Sequence, residues 1–427
     1  MPQFDILIVG AGLVGLATAI GLRKKGHGVC VLESTSNLQV IGDAIAVGSN
    51  QQRILEHYGI LQDFYTRAVS DIGCMYYRSW SSGEIISTRD MKTQKADYGY
   101  ASCILSRAGY QDFLYQQAKK VGVEFLFGQR VESVEEDGPR PILKLKDGSV
   151  LEADIIVGAD GIKSKVRMAV SPNAHLTSQW DCYRATVSRE RLGSDPELRP
   201  YLKGIHFTMG PNLLIILSNM ADIGDVSLNM YCLGDAGSAG SWSAPTTPVQ
   251  MREIFKDCSP ALQKMLTLVD KCIVWKVAQV SSLDSWSSSN GKIVLVGDAC
   301  HAMTPHQGQG CSTGIEDSAV LSECISYAKT IEDVPSLLKT YESLRRPRVE
   351  LIQGISAFLG KLWSLPDGEQ QQQRDEDMRK TQPYYAGAWD GKPIESIPTG
   401  LRDPNYSPWL MAYDAVGFAR KELDARA

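Results

Sequence analysis

The feature that most constrains this chain is a glycine pattern in its first turn. Phe4 to Val9 is a continuous apolar run, as expected of a strand buried on both faces, and Gly10, Gly12 and Gly15 follow at G-x-G-x-x-G spacing. Residues 13–25 then carry apolar positions at helical spacing, Gly26 stands where a helix closes in left-handed backbone, and Val29 to Leu32 reads as a second strand. Strand, turn, helix and strand form a βαβ unit, which commits the chain to a parallel sheet. The absent side chains allow a tight turn, close approach of a pyrophosphate and seating of the helix on the sheet, while the helix N-terminus offers N–H donors. Glu33 ends the second strand, about 20 residues on, where a carboxylate accepts hydrogen bonds from an adenosine ribose. A dinucleotide site follows. The pattern alone does not separate FAD from NAD.

Further along, Ser106 is the expected N-cap of a second amphipathic helix that runs through Phe113, Leu114 and Ala118 and ends before Gly122. Ile142 to Leu145 and Val150 to Ile155 flank Asp147-Gly148, a hairpin signal of the type I′ kind. Between about 178 and 285 the pattern shifts to short strands such as Arg184 to Val187, His206 to Met209, Leu213 to Leu217 and Val226 to Leu233, read as an inserted antiparallel domain. The Ser-rich stretch Ser281 to Asn290 leads out of it, and Lys292 to Val296 is again a buried strand. The Gln-rich segment Gly368 to Lys380 lacks an apolar stripe and is expected on the surface.

A net charge of −5 without a Lys/Arg block gives no footprint for nucleic acid. The N-terminus reads straight into a strand rather than a secretory signal, and apolar runs such as Leu213 to Leu217 fall far short of the roughly 20 residues that cross a bilayer, so a cytoplasmic protein without a membrane anchor is expected. The ten cysteines form no Cys-x-x-Cys pair and the six histidines no His-x-x-x-His set, so no metal is expected and the thiols read as reduced. The oligomeric expectation is a monomer or homodimer.

Two later motifs bear on the cofactor. Gly158-Ala159-Asp160-Gly161 is followed by Ser164 and Arg167, and Gly297-Asp298-Ala299-Cys300-His301 by Pro305 and Gly308-Gln309-Gly310. With the N-terminal glycines, they make the chain resemble, over nearly its whole length, the single-component FAD-dependent monooxygenases of the para-hydroxybenzoate and salicylate hydroxylase superfamily. The resemblance implies an α/β fold: a Rossmann-like FAD-binding domain in residues 1–177, an inserted antiparallel β-sheet substrate domain in 178–285, a return to the first domain in 286–350, and a C-terminal helical region and tail in 351–427. It implies FAD as cofactor, NAD(P)H as a transient co-substrate met around Asp160 and Gly161, and O2 activated as a flavin C4a-hydroperoxide. Carried over by motif, Gly12 and Arg107 meet the pyrophosphate, Asp298 the ribityl chain, Gly310 and Cys311 the flavin pyrimidine edge through their backbone, and Ala46 the ring edge. Val131 would contact adenine through its backbone, and Gln111 lies one turn after Arg107.

The small-molecule substrate is expected to be an electron-rich aromatic. Asp43, in Gly42-Asp43-Ala44, and Arg184, in Cys182-Tyr183-Arg184, together resemble a fungal indole-alkaloid subgroup. In that chemistry the indole 2,3-bond is epoxidised, Asp43 acts as general acid and Arg184 orients substrate or steadies an oxyanion. Their alternatives are a loop-capping carboxylate and an interdomain ion pair. Hydroxylation of a phenol or benzoate is the rival reaction, although Leu213 to Met220 lacks the Tyr that many phenol hydroxylases of the family place over the ring. A flavin-binding protein without turnover is the reading from a different class. His206, His301 and His306 are read as structural.

Overall fold

The structure is a computed structural model that describes residues 3–38, 44–67, 70–234, 242–380 and 396–426. Its first layer is a five-stranded, all-parallel sheet in the order Ile293–Leu295, Ile155–Gly158, Asp5–Val9, Gly28–Glu33, Glu124–Phe127. The first strand is central because its apolar run is buried almost throughout, with Ile8 wholly inaccessible. Helices Leu13–Lys24 and Gly310–Ser326 pack on this sheet and on each other through small residues. A Cβ at Gly21 would lie 2.4 Å from the Ser322 hydroxyl, and Thr18 and Ser318 share a 2.8 Å hydrogen bond.

The second layer is an eight-stranded sheet whose centre is the antiparallel run Cys272–Val280, Leu176–Ser188, Asp225–Leu233, Leu213–Met220, Ile205–Gly210. Strands Cys74–Ser79 and Ile85–Asp90, more than eighty residues upstream of this run, extend the same sheet, the former pairing parallel to Ile205–Gly210. Sequence reading of the insert alone misses them. Alternation sends the odd residues Tyr183, Ala185 and Val187 into an outer core under helices Pro248–Ile254 and Pro260–Thr267. The even residues Trp180 and Cys182 face inward, to a core shared with the long helix Val334–Trp363.

Three local expectations change. The hairpin at Asp147-Gly148 is not type I′, since Gly148 alone has a positive φ, of 86°; Leu145 and Ser149 close the loop around it. Its return strand also stops at Glu152, and Ile155 already belongs to the parallel sheet. The Gln-rich segment is a helix, Glu369–Lys380, which buries Arg374, Asp375 and Met378 against the inner core while its other residues meet solvent. No helix among the described residues is long and apolar enough to cross a membrane.

Candidate active site

The N-terminal glycines are held by contact. Gly10, at φ 106°, donates its N–H to the Leu32 carbonyl, and a Cβ there would fall 2.5 Å from the Ala159 oxygen of the second motif. A Cβ at Gly15 would fall 2.0 Å from the Gly10 oxygen, so both positions demand glycine. Gly12, the residue before the helix, is different: a Cβ there would meet nothing within 4 Å. The space in front of it is a cradle for a ligand. Glu33 accepts the Ala11 N–H at 3.1 Å with one carboxylate oxygen and the Thr35 N–H and hydroxyl, both at 3.0 Å, with the other. Gln111 closes the turn from behind, donating to the Ala11 carbonyl at 2.8 Å.

Helix Arg107–Lys120 begins as expected, with the Ser106 hydroxyl accepting the Gly109 N–H at 3.0 Å. Arg107 is half-buried at its start, and its charge and that of Asp298 both act on the Cys311 thiol. Asp298 is exposed at the head of the short turn Asp298–His301. Gly310 opens the helix Gly310–Ser326, with Cys311 next. Burial pushes the Cys311 thiol up to about 12, so it stays protonated and offers no nucleophile. Val131 is buried in the core, which leaves only its backbone for contact, and the Gln129 N–H, two residues earlier, donates to the Glu33 carbonyl.

The second motif braces the third. Asp160 accepts the Lys165 and Val166 N–H groups, and the Arg167 guanidinium donates to the Ala299 carbonyl at 2.9 Å and the Ile162 carbonyl at 2.6 Å. Beneath lies a buried charge network that sequence reading missed. Arg345 pairs Asp317 and Glu316, each at 2.8 Å, and Arg348 pairs Glu316 at 2.8 Å and donates to the Trp409 and Leu410 carbonyls. Asp317 also accepts the Gly297 N–H and pairs His301 at 2.5 Å, which ties the network to the Asp298 turn and gives His301 a structural partner. Burial alone would raise both carboxyls. Arg348 and Arg345 nevertheless hold Glu316 below its ordinary value, and His301 with Arg345 takes Asp317 down to about 2.

A cavity lies between this cradle and the inner face of the eight-stranded sheet. Ala46, Gly48, Gly308 and Gln309 form its cofactor side, Met75, Tyr77 and Phe207 come from the sheet, and Leu359 and Trp363 from the long helix. Arg89 and His306 are buried polar groups in the same wall; sequence reading singled out only His306, as structural. Arg89 sits on a strand whose site-facing side is visible only from the register that opposes it to Met75.

Arg184 lies on the inner face of the sheet but outside the cavity. Its register row runs Tyr77, Phe207, Ile216, Asn229, Arg184, which places it three strands from Phe207, and it stacks over the Trp275 ring at 5.4 Å. Asp43 lies outside the described residues.

The profile of the FAD binding domain family matches residues 3–354. The chain belongs to that family. FAD is its cofactor, and the open space before Gly12 and the exposed Asp298 fit a dinucleotide. The FAD-dependent monooxygenase OpS4 of Beauveria bassiana (strain ARSEF 2860) is 27% identical over 424 residues, 97% of this chain and 96% of that protein. The FAD-dependent monooxygenase atnJ of an Arthrinium species is 28% identical over 437 residues, 100% of this chain and 97% of that one. The crystal structure of CtdE with FAD and a substrate superposes with a TM-score of 0.81 at 22% identity, covering 99% of this chain and 98% of that one. The family member described here is thus an FAD-dependent monooxygenase enzyme.

Proposed function

We propose that this monooxygenase takes electrons from NAD(P)H and oxygenates an electron-rich aromatic, with the 2,3-bond of an indole as the bond attacked. One observation carries the reading: an aromatic-lined cavity, with Tyr77, Phe207 and Trp363 in its wall, opens against the Gly308-Gln309 loop of the cofactor side. Bound FAD would supply the chemistry that carries two electrons from NAD(P)H to O2, so that one oxygen atom goes to the substrate and the other leaves as water. In this reading the Ala11 and Gly12 backbone and Arg107 hold its pyrophosphate, Glu33 and the Val131 backbone its adenosine, Asp298 its ribityl chain, and Ala46, Gly310 and Cys311 its ring through backbone groups.

The rest of the chemistry falls to side chains. The apolar wall keeps water from the reacting carbon. Asp43 protonates the epoxide oxygen on the substrate, so that ring opening with a 1,2-shift gives an oxindole. Arg184 orients a substrate long enough to reach across the sheet face.

The test is NAD(P)H oxidation by the FAD-loaded protein with a panel of indole alkaloids and phenols, with product mass recorded. One oxygen atom gained on an indole is expected, with turnover reduced about 100-fold or more in Asp43→Asn. Turnover on phenols alone would retire the indole reading in favour of aromatic hydroxylation. Wild-type turnover in both Asp43→Asn and Arg184→Ala would remove the acid and anchor roles.

A further inference from the structure

Ser49, Asn50, Gln51 and Gln52 form the first turn of the helix Ser49–His57, and all four are wholly buried although every one is polar. The turn follows, after Gly48, on the strand Ala44–Val47 that carries Ala46. Gln51 uses its whole amide there. Its carbonyl oxygen accepts the Ser312 hydroxyl at 2.8 Å, and its nitrogen donates to the Tyr110 hydroxyl at 2.7 Å and to the Cys311 sulfur at 3.7 Å. Tyr110 lies one turn after Arg107 in the helix Arg107–Lys120, backed by Phe64 with ring centroids 5.7 Å apart. Cys311 and Ser312 belong to the first turn of Gly310–Ser326. One side chain thus joins the three segments whose backbone or charge the proposed function sets around FAD.

An apolar side chain of the same size would fill this space without giving up hydration, a loss that a buried amide offsets only when its polar atoms are paired. What the pairing adds is register. A satisfied polar network fixes one arrangement of the elements it joins, where apolar packing tolerates small slides. Register matters at this turn: the Thr313 N–H binds the Gln309 carbonyl at 2.8 Å, so the donors left for a ligand are those of Gly310, Cys311 and Ser312. Reduction of a flavin places negative charge at its pyrimidine edge, and N–H groups at a helix start favour that charge. Their effect falls steeply with distance and angle, so a small slide of the turn weakens it.

We propose that Gln51 is a positioning residue that sets how readily the bound flavin is reduced, by holding the Cys311-Ser312 turn in register with the helix that Arg107 begins. This role rests on the ring placement proposed above. Fully buried, Gln51 does not itself reach the cofactor and acts through the turn. Loss of the clamp deprives the buried Ser312 and Tyr110 hydroxyls of a partner and lets the turn drift from the ring, which favours the oxidised flavin and lowers the reduction potential.

The experiment measures the reduction potential of FAD-loaded protein without substrate, by equilibration with a reference dye. Gln51→Met keeps the length of the side chain and removes its donor and acceptor. Its ratio of oxidised to reduced flavin at a given potential should rise about tenfold, the effect of about one net hydrogen bond, which for two electrons is a fall of about 30 mV. Ser312→Ala, which removes one arm of the clamp, should shift the potential the same way by less, and the double variant should match Gln51→Met alone, because both act through one turn. If Gln51→Met does not hold FAD, Ser312→Ala decides. An unmoved potential in the variant that holds FAD, whatever its unfolding midpoint, marks Gln51 as structural and overturns the proposal, as does a double variant that shifts by the sum of the two. Gly310→Ala tests the ring placement separately. A methyl group there has room in the protein alone, its nearest atom being the Met303 Cγ at 3.7 Å, so it should alter the visible spectrum of a flavin seated against it. An unaltered spectrum removes the placement and the role of Gln51 with it; an altered spectrum beside an unmoved potential in Gln51→Met sinks the role of Gln51 alone.

Discussion

Beneath the cofactor loops, Arg345, Arg348, Glu316 and Asp317 are buried, mutually paired and tied to the Asp298 turn. Across the cavity, the sheet face presents rings and thioethers around buried His306. One side is built on paired charges; the other is mostly apolar. Pre-satisfied charge gives a rigid seat for a cofactor that every turnover needs, whereas a mostly apolar wall discriminates among ligands by shape. The contrast predicts that substitutions under the cofactor cost stability and those in the cavity wall cost selectivity.

The largest test of that contrast is Arg345→Met. Removing one partner leaves buried Asp317 with His301 and Glu316 with Arg348 as their remaining charged partners, a loss of about 3–5 kcal/mol with release of flavin. Phe207→Met in the cavity wall keeps volume and polarity and should cost less than about 1.5 kcal/mol. Denaturant midpoints of the two variants decide the matter: comparable losses would break the comparison.

Acid should act on the same side of the molecule. Asp317 is held down to about 2 from an ordinary value of 3.8, so its contribution is fully present above the ordinary value and is lost as pH falls from about 4 through about 2. The total is about 2 kcal/mol, at 1.36 kcal/mol per unit. Stability measured by denaturant between pH 7 and pH 3 should therefore fall at the acid end in the wild type and fall less in Asp317→Asn. An equal acid slope in both would mean that this carboxylate does not tie the network together.

The cofactor side was legible in the sequence because its demands are on the backbone. Gly10 and Gly15 are required by contacts of their own turn and of the next motif, so spacing alone reveals them. Ser106 is likewise a local cap and was read correctly. The charge network was not legible, since Asp317 and Arg345 lie on different helices and look like ordinary surface residues until the helices pack. Nor was the cavity wall, because His306 packs against Trp180, Tyr231 and Gly360, from three distant segments. Strands Cys74–Ser79 and Ile85–Asp90 carry too little alternation to announce that Tyr77 and Arg89 face the site.

The smallest expected effect tests whether the two sides act independently. Asp222, in the turn between sheet strands Leu213–Met220 and Asp225–Leu233, accepts the Ser106 N–H at 2.9 Å and the Ser106 hydroxyl at 2.5 Å. That serine caps the helix that Arg107 begins, so the substrate sheet reaches the pyrophosphate region through one carboxylate. Asp222→Asn keeps the shape but weakens the cap, because an amide is a poorer acceptor than a carboxylate and its nitrogen cannot accept at all. A loss of about 1 kcal/mol in stability is expected. If the strap sets where Arg107 stands, FAD dissociation should strengthen with it, about fivefold for 1 kcal/mol. FAD affinity measured by flavin fluorescence on dilution separates the outcomes. A shift in unfolding midpoint with unchanged affinity would show that the sheet only leans on the cofactor side, and selectivity in the cavity could then be altered without disturbing the flavin.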